Sequence, residues 1–220
     1  KRMISALNIP IVQKMGFEAD DLVGTYARLA EKQGFDVVMV TGDKDFIQLV
    51  SDHCVLWDPM KDTITDVETV QADMGITPAQ FIDVLGLAGD TADNIPGVKG
   101  VGPKTAIKLI AQFGSIDGIY ENLDQLKPKK KLYASLAQSR EIVLLSRKLA
   151  TIDRRIKVTD KIENFKLPDF DTQKAFELFK ELEFKNLTAE FAQKADKSKK
   201  IYKLITLVPE MEKLAKVLEN

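Results

Sequence analysis

The sequence is poor in the residues that build disulfides and transition-metal centres. It contains a single cysteine, Cys54, and a single histidine, His53. One cysteine excludes an internal disulfide, and the sequence offers no Cys/His cluster that could bind zinc. His53 stands in a strand-like segment, so we expect it to be a surface residue rather than a general base.

Long apolar runs are also missing. No stretch approaches the roughly 18 apolar residues of a membrane span, and no secretory signal segment is present. We therefore expect a soluble, cytoplasmic protein with no membrane partner. The chain begins at Lys1, and its first helical pattern, Arg2–Leu7, reads as the tail of a helix. We expect the sequence to start inside a domain.

Several nucleotide-binding and hydrolase signatures are absent as well. There is no G-x-x-x-x-G-K-[ST] loop and no serine triad. Gly97, Gly100 and Gly102 do not follow a strand of the dinucleotide-binding type, so a dinucleotide site is weakly supported. No internal repeat or heptad pattern indicates a filament, and we expect a monomer.

What the sequence does contain is a strong asymmetry of charge. Of its 220 residues 45% are hydrophobic and 30% charged, which allows a substantial core, and the net charge is −1. Residues 1–96 hold 7 Lys/Arg against 16 Asp/Glu, whereas residues 97–148 hold 10 against 4. This distribution favours a metal site beside a polyanion groove, although solvated helix faces could give a milder version.

The hydrophobic pattern predicts an α/β region followed by a helical one. Continuous apolar sequence at Val37–Val40 is typical of a parallel strand covered on both faces. With the preceding strand and helix it forms a βαβ unit. The other elements of this region are a strand at Ile9–Val12, a helix at Glu18–Gln33, a short helix at Asp45–Val50, and strands at Val55–Trp57 and Thr63–Thr65.

Helices dominate after Asp66. Asp66, Thr77 and Ser115 are predicted N-caps, and Pro78 and Pro103 are predicted first helical residues. The helices are predicted at 67–74, 78–86, 103–114, 116–121, 128–149 and 171–184.

The predicted domain order follows from this change of pattern. We expect a partial α/β core over residues 1–66 and a helical subdomain over residues 67–195. Residues 196–220 would be linker and the start of a further domain: the charged segment at 194–200 reads as the linker, and a strand at 201–208 and a helix at 209–218 follow it.

Seven acidic residues form three groups along the chain. The first group begins the helix after the first predicted strand, and the second follows the strand at Val37–Val40. These two groups would meet at the carboxyl edge of one parallel sheet, where ligands bind. Together the acids could hold two hard cations, Mg²⁺ or Mn²⁺. The groups are Glu18, Asp20 and Asp21; Asp43 and Asp45; and Asp90 and Asp93.

Simpler interpretations remain open for two of these groups. Acids in a first helical turn interact favourably with the helix dipole, which would account for the group at Glu18. Asp90 and Asp93 could form an Asx-turn or a helix cap.

A glycine-rich connection follows the third acidic group. Its backbone could approach a phosphate closely, and the helix opened by Pro103 would direct free N–H groups to the same spot. Such a contact is to the backbone of a nucleic acid and is independent of base sequence. A plain interhelical turn is the alternative, and the lysines at 127–131 are expected to be solvated. The predicted DNA-binding residues are Gly97, Val98, Lys99, Gly100, Gly102, Lys104 and Thr105.

Three motifs, in this order and spacing, closely resemble the 5′-nuclease domain of bacterial DNA polymerase I, a relative of the flap endonucleases. They are Gly16–Asp21, Thr41–Asp45 and Gly89–Thr105. The resemblance covers about residues 1–195. It implies a PIN-like, flap-endonuclease-like fold and a helix–three-turn–helix element at residues 89–113, which grips duplex DNA and in relatives can hold K⁺.

The resemblance also implies an activity. The seven acids would bind two divalent ions, and the reaction would be hydrolysis of a phosphodiester near the 5′ end of nicked or flapped DNA, as in primer removal and repair. Polymerase and proofreading-like domains of the same parent chain would be partners.

In relatives, a first sheet strand with a metal-binding aspartate, a second aspartate and a basic arch precede the position of Lys1. We therefore expect an incomplete sheet and a metal site short of two acids. The alternative function is sequence-independent binding of duplex DNA without catalysis.

Overall fold

The structure, a computed structural model, describes residues 1–167 and 169–199. Contacts divide these residues into two compact units. The larger is Val12–Asn164, and the smaller combines Lys1–Ile11 with the described residues from Phe165 on. The predicted boundary between residues 66 and 67 falls inside the larger unit, because Leu56 and Val70 on either side of it belong to one hydrophobic core.

A three-stranded sheet lies in the larger unit. Its strands are β1 (Val37–Val40), β2 (Cys54–Asp58) and β3 (Thr63–Thr65). β1 pairs with β2 in parallel, with Val37 opposite Cys54, and β2 pairs with β3 antiparallel. The three strands were predicted, and their parallel pair places the carboxyl ends of β1 and β2 at the same edge.

Two predictions about the strands are wrong: that Ile9–Val12 is a strand, and that β1 is covered on both faces. Ile9–Val12 forms no strand, and Ile9 and Ile11 are 42% and 47% exposed. A strand needs a paired neighbour, and no described segment pairs with this one. β1 is covered on only one face among the described residues: Met39 is buried, whereas Val38 and Val40 are more than half exposed.

Helix α2 (Ala19–Lys32) packs on β1, but the predicted βαβ unit lacks its first strand, because Ile9–Val12 forms none. After β1 the chain enters a 3₁₀ helix, Lys44–Leu49, where a short helix was predicted. Its last four residues are buried, so the turn is anchored in the core and carries the acids at its start.

The other helices of the larger unit surround a core that includes Leu87, Ile110 and Val143. Predicted caps are confirmed at Asp66, which accepts the Thr69 N–H at 2.8 Å, and at Ser115, which accepts the Gly118 N–H at 3.0 Å. The helices are α3 (Val67–Met74), α4 (Phe81–Ala88), α5 (Pro103–Phe113), α6 (Ile116–Glu121), α7 (Lys130–Gln138) and α8 (Arg140–Ala150), with 3₁₀ turns at Pro78–Gln80 and Leu123–Leu126.

The prediction of one long helix over residues 128–149 is wrong. The chain breaks at Ser139, whose φ of −110° and ψ of 10° leave the helical region. The two halves pack on different partners: α7 contacts the turn at Leu123–Leu126, and α8 contacts α4. Continuous amphipathic periodicity could not reveal that change of partner.

The smaller unit contains α1 (Arg2–Ala6), α9 (Thr172–Glu181) and α10 (Lys185–Lys199). Phe179 and Phe191 pack edge to face with ring centroids 4.9 Å apart in the buried cluster of this unit. The linker predicted at 194–200 is wrong as far as Lys199, where α10 continues. The predicted elements at 201–208 and 209–218 lie outside the described residues.

None of the helices in the described ranges combines the length and apolarity required to cross a bilayer.

Candidate functional site

Three of the predicted acids converge most closely. Asp45 lies at the start of the 3₁₀ helix after β1, whereas Asp90 and Asp93 lie in the loop after α4. Each offers one carboxylate oxygen, and these oxygens lie within 4.8 Å of one another. Residues 45 positions apart in sequence are therefore brought to one point at the sheet edge.

The remaining acids lie around this point. A pocket of about 240 Å³ is lined on one side by acids and on the other by residues 149–152, which end α8 and follow it. Its acidic lining comprises Glu18, Asp20, Asp21, Asp45 and Asp93. The other two predicted acids do not line it, but Asp90 converges with Asp45 and Asp93, and the charge of Asp43 acts on Asp20 and Asp45.

Asp45 is the most perturbed carboxylate of the cluster. Burial, reinforced by the negative charge of Asp43, raises the pKa of Asp45 to about 6. Its Oδ1 atom is buried and finds no hydrogen-bond partner among the described residues. An unpaired buried carboxylate oxygen among other acids is unfavourable unless a cation binds it, so these residues fit a hard divalent ion.

Asp20 is perturbed in the same direction. Burial is the largest cause of its raised pKa, followed by repulsion from Asp43 and from Glu18, Asp21 and Asp93. The group at Glu18 thus interacts with both other groups, which exceeds what a helix dipole alone would account for.

Asp90 is stabilised as an anion instead. Its Oδ1 accepts the Ala92 N–H at 2.8 Å, and its Oδ2 accepts from Lys44 Nζ at 3.1 Å. These contacts, the backbone bond first, lower the pKa of Asp90. The Asx-turn that we considered as an alternative is present, and it orients Asp90 within the cluster. Reciprocal backbone bonds to Ile95, of 2.9 and 2.7 Å, close the loop.

Two other acids hold backbone in place. Asp21 Oδ1 accepts the Asp153 N–H at 2.8 Å, and Asp43 Oδ1 accepts the Asp45 N–H at 2.9 Å. Asp43 therefore fixes the turn that presents Asp45, and Asp21 fixes the chain that closes the pocket.

Gln48 is a residue of the site that the sequence did not reveal. Its buried amide donates to the carbonyls of Asp45 and Ala150, both at 3.0 Å, and its Oε1 accepts the Ile152 N–H at 3.0 Å. It joins the acid-bearing turn to the opposite wall of the pocket. A glutamine in an apolar turn is the only local signal, since its partners on that wall lie more than 100 residues away.

Lys44 was also missed, although it stands inside the second motif. Its side chain is 54% exposed, and neighbouring acids, Asp90 first through a hydrogen bond, raise its pKa.

The glycine-rich connection separates into an inner and an outer part. The Gly97 N–H donates to the buried Ser146 Oγ at 3.1 Å, and the Val98 N–H donates to the Leu87 carbonyl at 2.7 Å. Val98 is 3% exposed. These two residues support the loop from inside, and their N–H groups are engaged.

The outer part faces solvent. Lys99, Gly100, Gly102 and Lys104 are exposed, and among the described residues their backbone N–H groups have no acceptor. The Thr105 N–H is not free, because it donates to the Gly102 carbonyl at 2.9 Å. Free N–H groups and two lysines at and just before the start of α5 can bind an anion, and we call this group the anion cradle. This cradle comprises Lys99, Gly100, Gly102 and Lys104.

Comparison with family models assigns both parts of the chain. Residues 1–75 match the model of the 5′-3′ exonuclease N-terminal resolvase-like domain. Residues 76–173 match the model of the 5′-3′ exonuclease C-terminal SAM fold. The chain belongs to the 5′-3′ exonuclease family.

Curated relatives of this 5′-3′ exonuclease family chain are much longer. It is 41% identical over 191 residues to DNA polymerase I of Bacillus caldotenax, which covers 84% of the chain and 22% of that protein. It is 39% identical over 196 residues to thermostable DNA polymerase I of Thermus filiformis, covering 87% of the chain and 23% of that protein. The chain spans about a fifth of the length of these relatives.

Solved structures of similar fold include the T5 5′-exonuclease and the catalytic core of Rad2. The T5 5′-exonuclease structure with bound zinc has a TM-score of 0.57 at 21% identity, covering 86% of this chain and 62% of that one. The catalytic core of Rad2 has a TM-score of 0.53 at 22% identity, covering 81% and 65%. The fold class predicted from the sequence is confirmed.

Proposed function

We propose that this 5′-3′ exonuclease family chain is the metal-dependent, structure-specific 5′-nuclease part of a DNA polymerase I. It would hydrolyse phosphodiesters at the 5′ ends or flaps of DNA. The observation that carries the proposal is the convergence of Asp45, Asp90 and Asp93 within 4.8 Å, with one buried carboxylate oxygen unpaired.

The seven acids of the pocket and its rim would hold two divalent cations, Mg²⁺ or Mn²⁺. When bound, such a pair supplies Lewis-acid stabilisation to the attacking and leaving oxygens of a phosphodiester displacement. Asp45 and Asp20 are suited to this role because both carboxylates are partly buried and crowded by other acids. Their mutual repulsion is unfavourable until a cation neutralises the cluster.

The anion cradle would bind the duplex backbone. Its donors are backbone N–H groups and two lysines, so it holds any sequence and sets only the position of the duplex. A K⁺ ion at this element belongs to the same proposal and rests on the family resemblance alone.

A close backbone contact between Gly89 and Gly97 would fix the cradle relative to the acids. Gly89 and Gly97 approach so closely that a Cβ on Gly97 would lie 2.4 Å from the Gly89 nitrogen. Asp90 and the start of the cradle are therefore fixed by the same pair of backbones. A duplex held by the cradle would meet the acid pocket at a constant distance along its strand.

The wider role follows from the relatives. We propose primer removal and repair beside the polymerase and proofreading-like domains of one parent chain, in the cytoplasm with the nucleoid, and a monomeric state. The support is the similarity to DNA polymerase I over 191 residues.

The test is cleavage of a 5′-labelled flap by this chain in Mn²⁺. We expect Asp90→Ala to lower the single-turnover rate at least about a hundredfold, because it removes one of the converging carboxylates. Its affinity for the flap, measured by fluorescence anisotropy, should stay within about twofold. Asp73→Asn, an exposed acid of α3, is the matched control and should leave both quantities unchanged.

Two results would argue against the proposal in different ways. Full activity of Asp90→Ala would show that the converging acids do not take part in the hydrolysis. Tight binding of the flap by the unmodified chain without cleavage would favour DNA binding alone, the second function considered for this sequence.

A further inference from the structure

A positive charge is built into the acid cluster. Lys44 stands between Asp43 and Asp45 in the sequence, and its Nζ lies 3.1 Å from Asp90 Oδ2. Asp90 is one of the three carboxylates whose oxygens converge. The ammonium therefore occupies a carboxylate that a divalent cation would bind.

The two partners of this ion pair differ in freedom. The Asp90 side chain is only 15% exposed and is held by the Ala92 N–H, whereas the Lys44 side chain is 54% exposed. The carboxylate is thus fixed, and the lysine has a flexible four-carbon stem that can carry its charge into solvent. Loss of the pair would move Lys44 and leave Asp90 where it is.

A divalent cation and this ammonium are incompatible at Asp90. Both compete for the negative charge of one carboxylate, and a cation in the cluster would lie within a few ångströms of Nζ, where like charges repel. Lysine cannot share the site as a neutral ligand near neutral pH, since an ammonium has donors and no acceptor.

We propose that Lys44 is an internal counterion of Asp90 that competes with the divalent cation and is displaced when the cation binds. This inference rests on the proposed function, because it takes the cluster to be a metal site. Without metal, Lys44 offsets part of the repulsion among the acids. With metal, it becomes free, so the affinity of the cluster is lower than its carboxylates alone would give.

The chain provides a matched control for the loss of a lysine. Lys61 Nζ lies 2.8 Å from Asp58 Oδ2, and its side chain is 72% exposed against 12% for Asp58. This pair has the same chemistry and a similar difference in exposure, but neither Asp58 nor Lys61 belongs to the converging oxygens or lines the acid pocket.

The experiment measures Mn²⁺ binding to the full 220-residue chain by electron paramagnetic resonance of the free ion, with no DNA present. We expect Lys44→Met to bind Mn²⁺ about two- to fivefold more tightly than the wild type, as expected for removal of one partly exposed ion pair. Lys44→Arg keeps the charge and should stay within about twofold of the wild type. Lys61→Met should match the wild type.

Thermal unfolding supplies a second measurement. In chelator, Lys44→Met should melt about 2–4 °C below the wild type, because the acids lose their counterion, and saturating Mn²⁺ should close or reverse that gap.

The outcomes separate this inference from the proposed function. Equal or weaker Mn²⁺ binding by Lys44→Met, with normal binding by the wild type, overturns the role of Lys44 and leaves the metal site standing. Absence of Mn²⁺ binding in the wild type and in Lys44→Met overturns both. Mn²⁺ binding by Lys44→Met but not by the wild type would support the competition, because the lysine would then exclude the ion completely.

Discussion

The acid pocket and the anion cradle are built in opposite ways. The pocket collects carboxylates from three segments of the chain, partly buries them and leaves one oxygen unpaired. The cradle (Lys99, Gly100, Gly102 and Lys104) is made of exposed residues of one short segment, interrupted only by the buried Val101, and its main donors are backbone N–H groups. The pocket is therefore unfavourable until a cation joins it, whereas the cradle requires only its local conformation.

The two regions nonetheless depend on one contact. The backbones of Gly89 and Gly97 touch, just before Asp90 and just before the cradle. Damage at this contact should affect both regions, and damage beyond it should affect only one. Substitutions placed at the contact and on either side of it can therefore test whether it joins the two.

The largest effect is expected for Gly97→Ala. Gly97 has a φ of +59°, and an added Cβ would lie 2.4–2.7 Å from backbone atoms of Ala88 and Gly89. Neither backbone can move without displacing Asp90, so we expect a decrease of about 3 kcal/mol or more in the free energy of unfolding. Urea denaturation followed by circular dichroism measures it, and metal binding and DNA binding should fall together.

Gly100→Ala is the matched substitution. Gly100 has a φ of +82°, but no atom of the described residues lies within 4 Å of the position of an added Cβ. The alanine meets no clash and is disfavoured only by the left-handed backbone conformation, so we expect a decrease of about 1 kcal/mol in the free energy of unfolding. Equal decreases in stability for the two variants would show that the Gly89–Gly97 contact does not join the pocket to the cradle.

A smaller effect is expected when the cradle alone is changed. Lys99→Gln together with Lys104→Gln should lower the magnitude of the slope of log K for duplex binding against log salt by up to about 1.8, because each lysine that no longer neutralises a phosphate contributes about 0.9. Mn²⁺ affinity should stay the same, because neither lysine lines the pocket. Fluorescence anisotropy at several salt concentrations measures the slope.

Lys32→Gln provides the control for charge, since Lys32 is an exposed lysine at the end of α2. An unchanged slope in the double variant would exclude the cradle as the site that binds phosphate.

The difference between the regions also explains how much of the molecule was predictable. The cradle could be predicted because its signals are local: Gly100 for a left-handed turn, and Pro103 as the first residue of α5. The caps at Asp66 and Ser115 were predictable for the same reason. The convergence of the acids could be predicted because neighbouring like charges are visible in the sequence and because the carboxyl ends of parallel strands share an edge.

What depends on distant partners could not be predicted. Gln48 is an ordinary turn residue until residues 150–152 supply its partners. The break at Ser139 follows from a change of packing partner between α7 and α8, which periodicity does not record. Ile9 has strand-forming sequence around it, but no described neighbour pairs with it, and the backbone stays irregular.

The smallest effect concerns the pocket without metal. The folded-state pKa of Asp45, about 6, lies above its ordinary value of 3.8. A raised carboxyl pKa means that the folded chain binds a proton more readily than the unfolded chain, so Asp45 destabilises the fold above pH 6. This penalty is relieved as pH falls from 6 toward 4. Asp45→Asn, which carries no charge, should therefore be more stable than the wild type at pH 7.5 in chelator.

We expect a difference of about 1 kcal/mol at pH 7.5, reduced for the solvent that still reaches the carboxylate, and shrinking toward zero near pH 4. Urea denaturation of both proteins across this pH range measures it, with Asp73→Asn as an exposed-acid control. Saturating Mn²⁺ should reverse the order, because the cation binds the carboxylate of the folded wild type and gains less from the amide. A wild type more stable than Asp45→Asn at pH 7.5 without metal would mean that the pocket is not strained, and the contrast with the cradle would fail. If Mn²⁺ reverses the order of stability of the wild type and Asp45→Asn, the pocket differs from the cradle in the way described, because the cradle has no comparable repulsion for a cation to relieve.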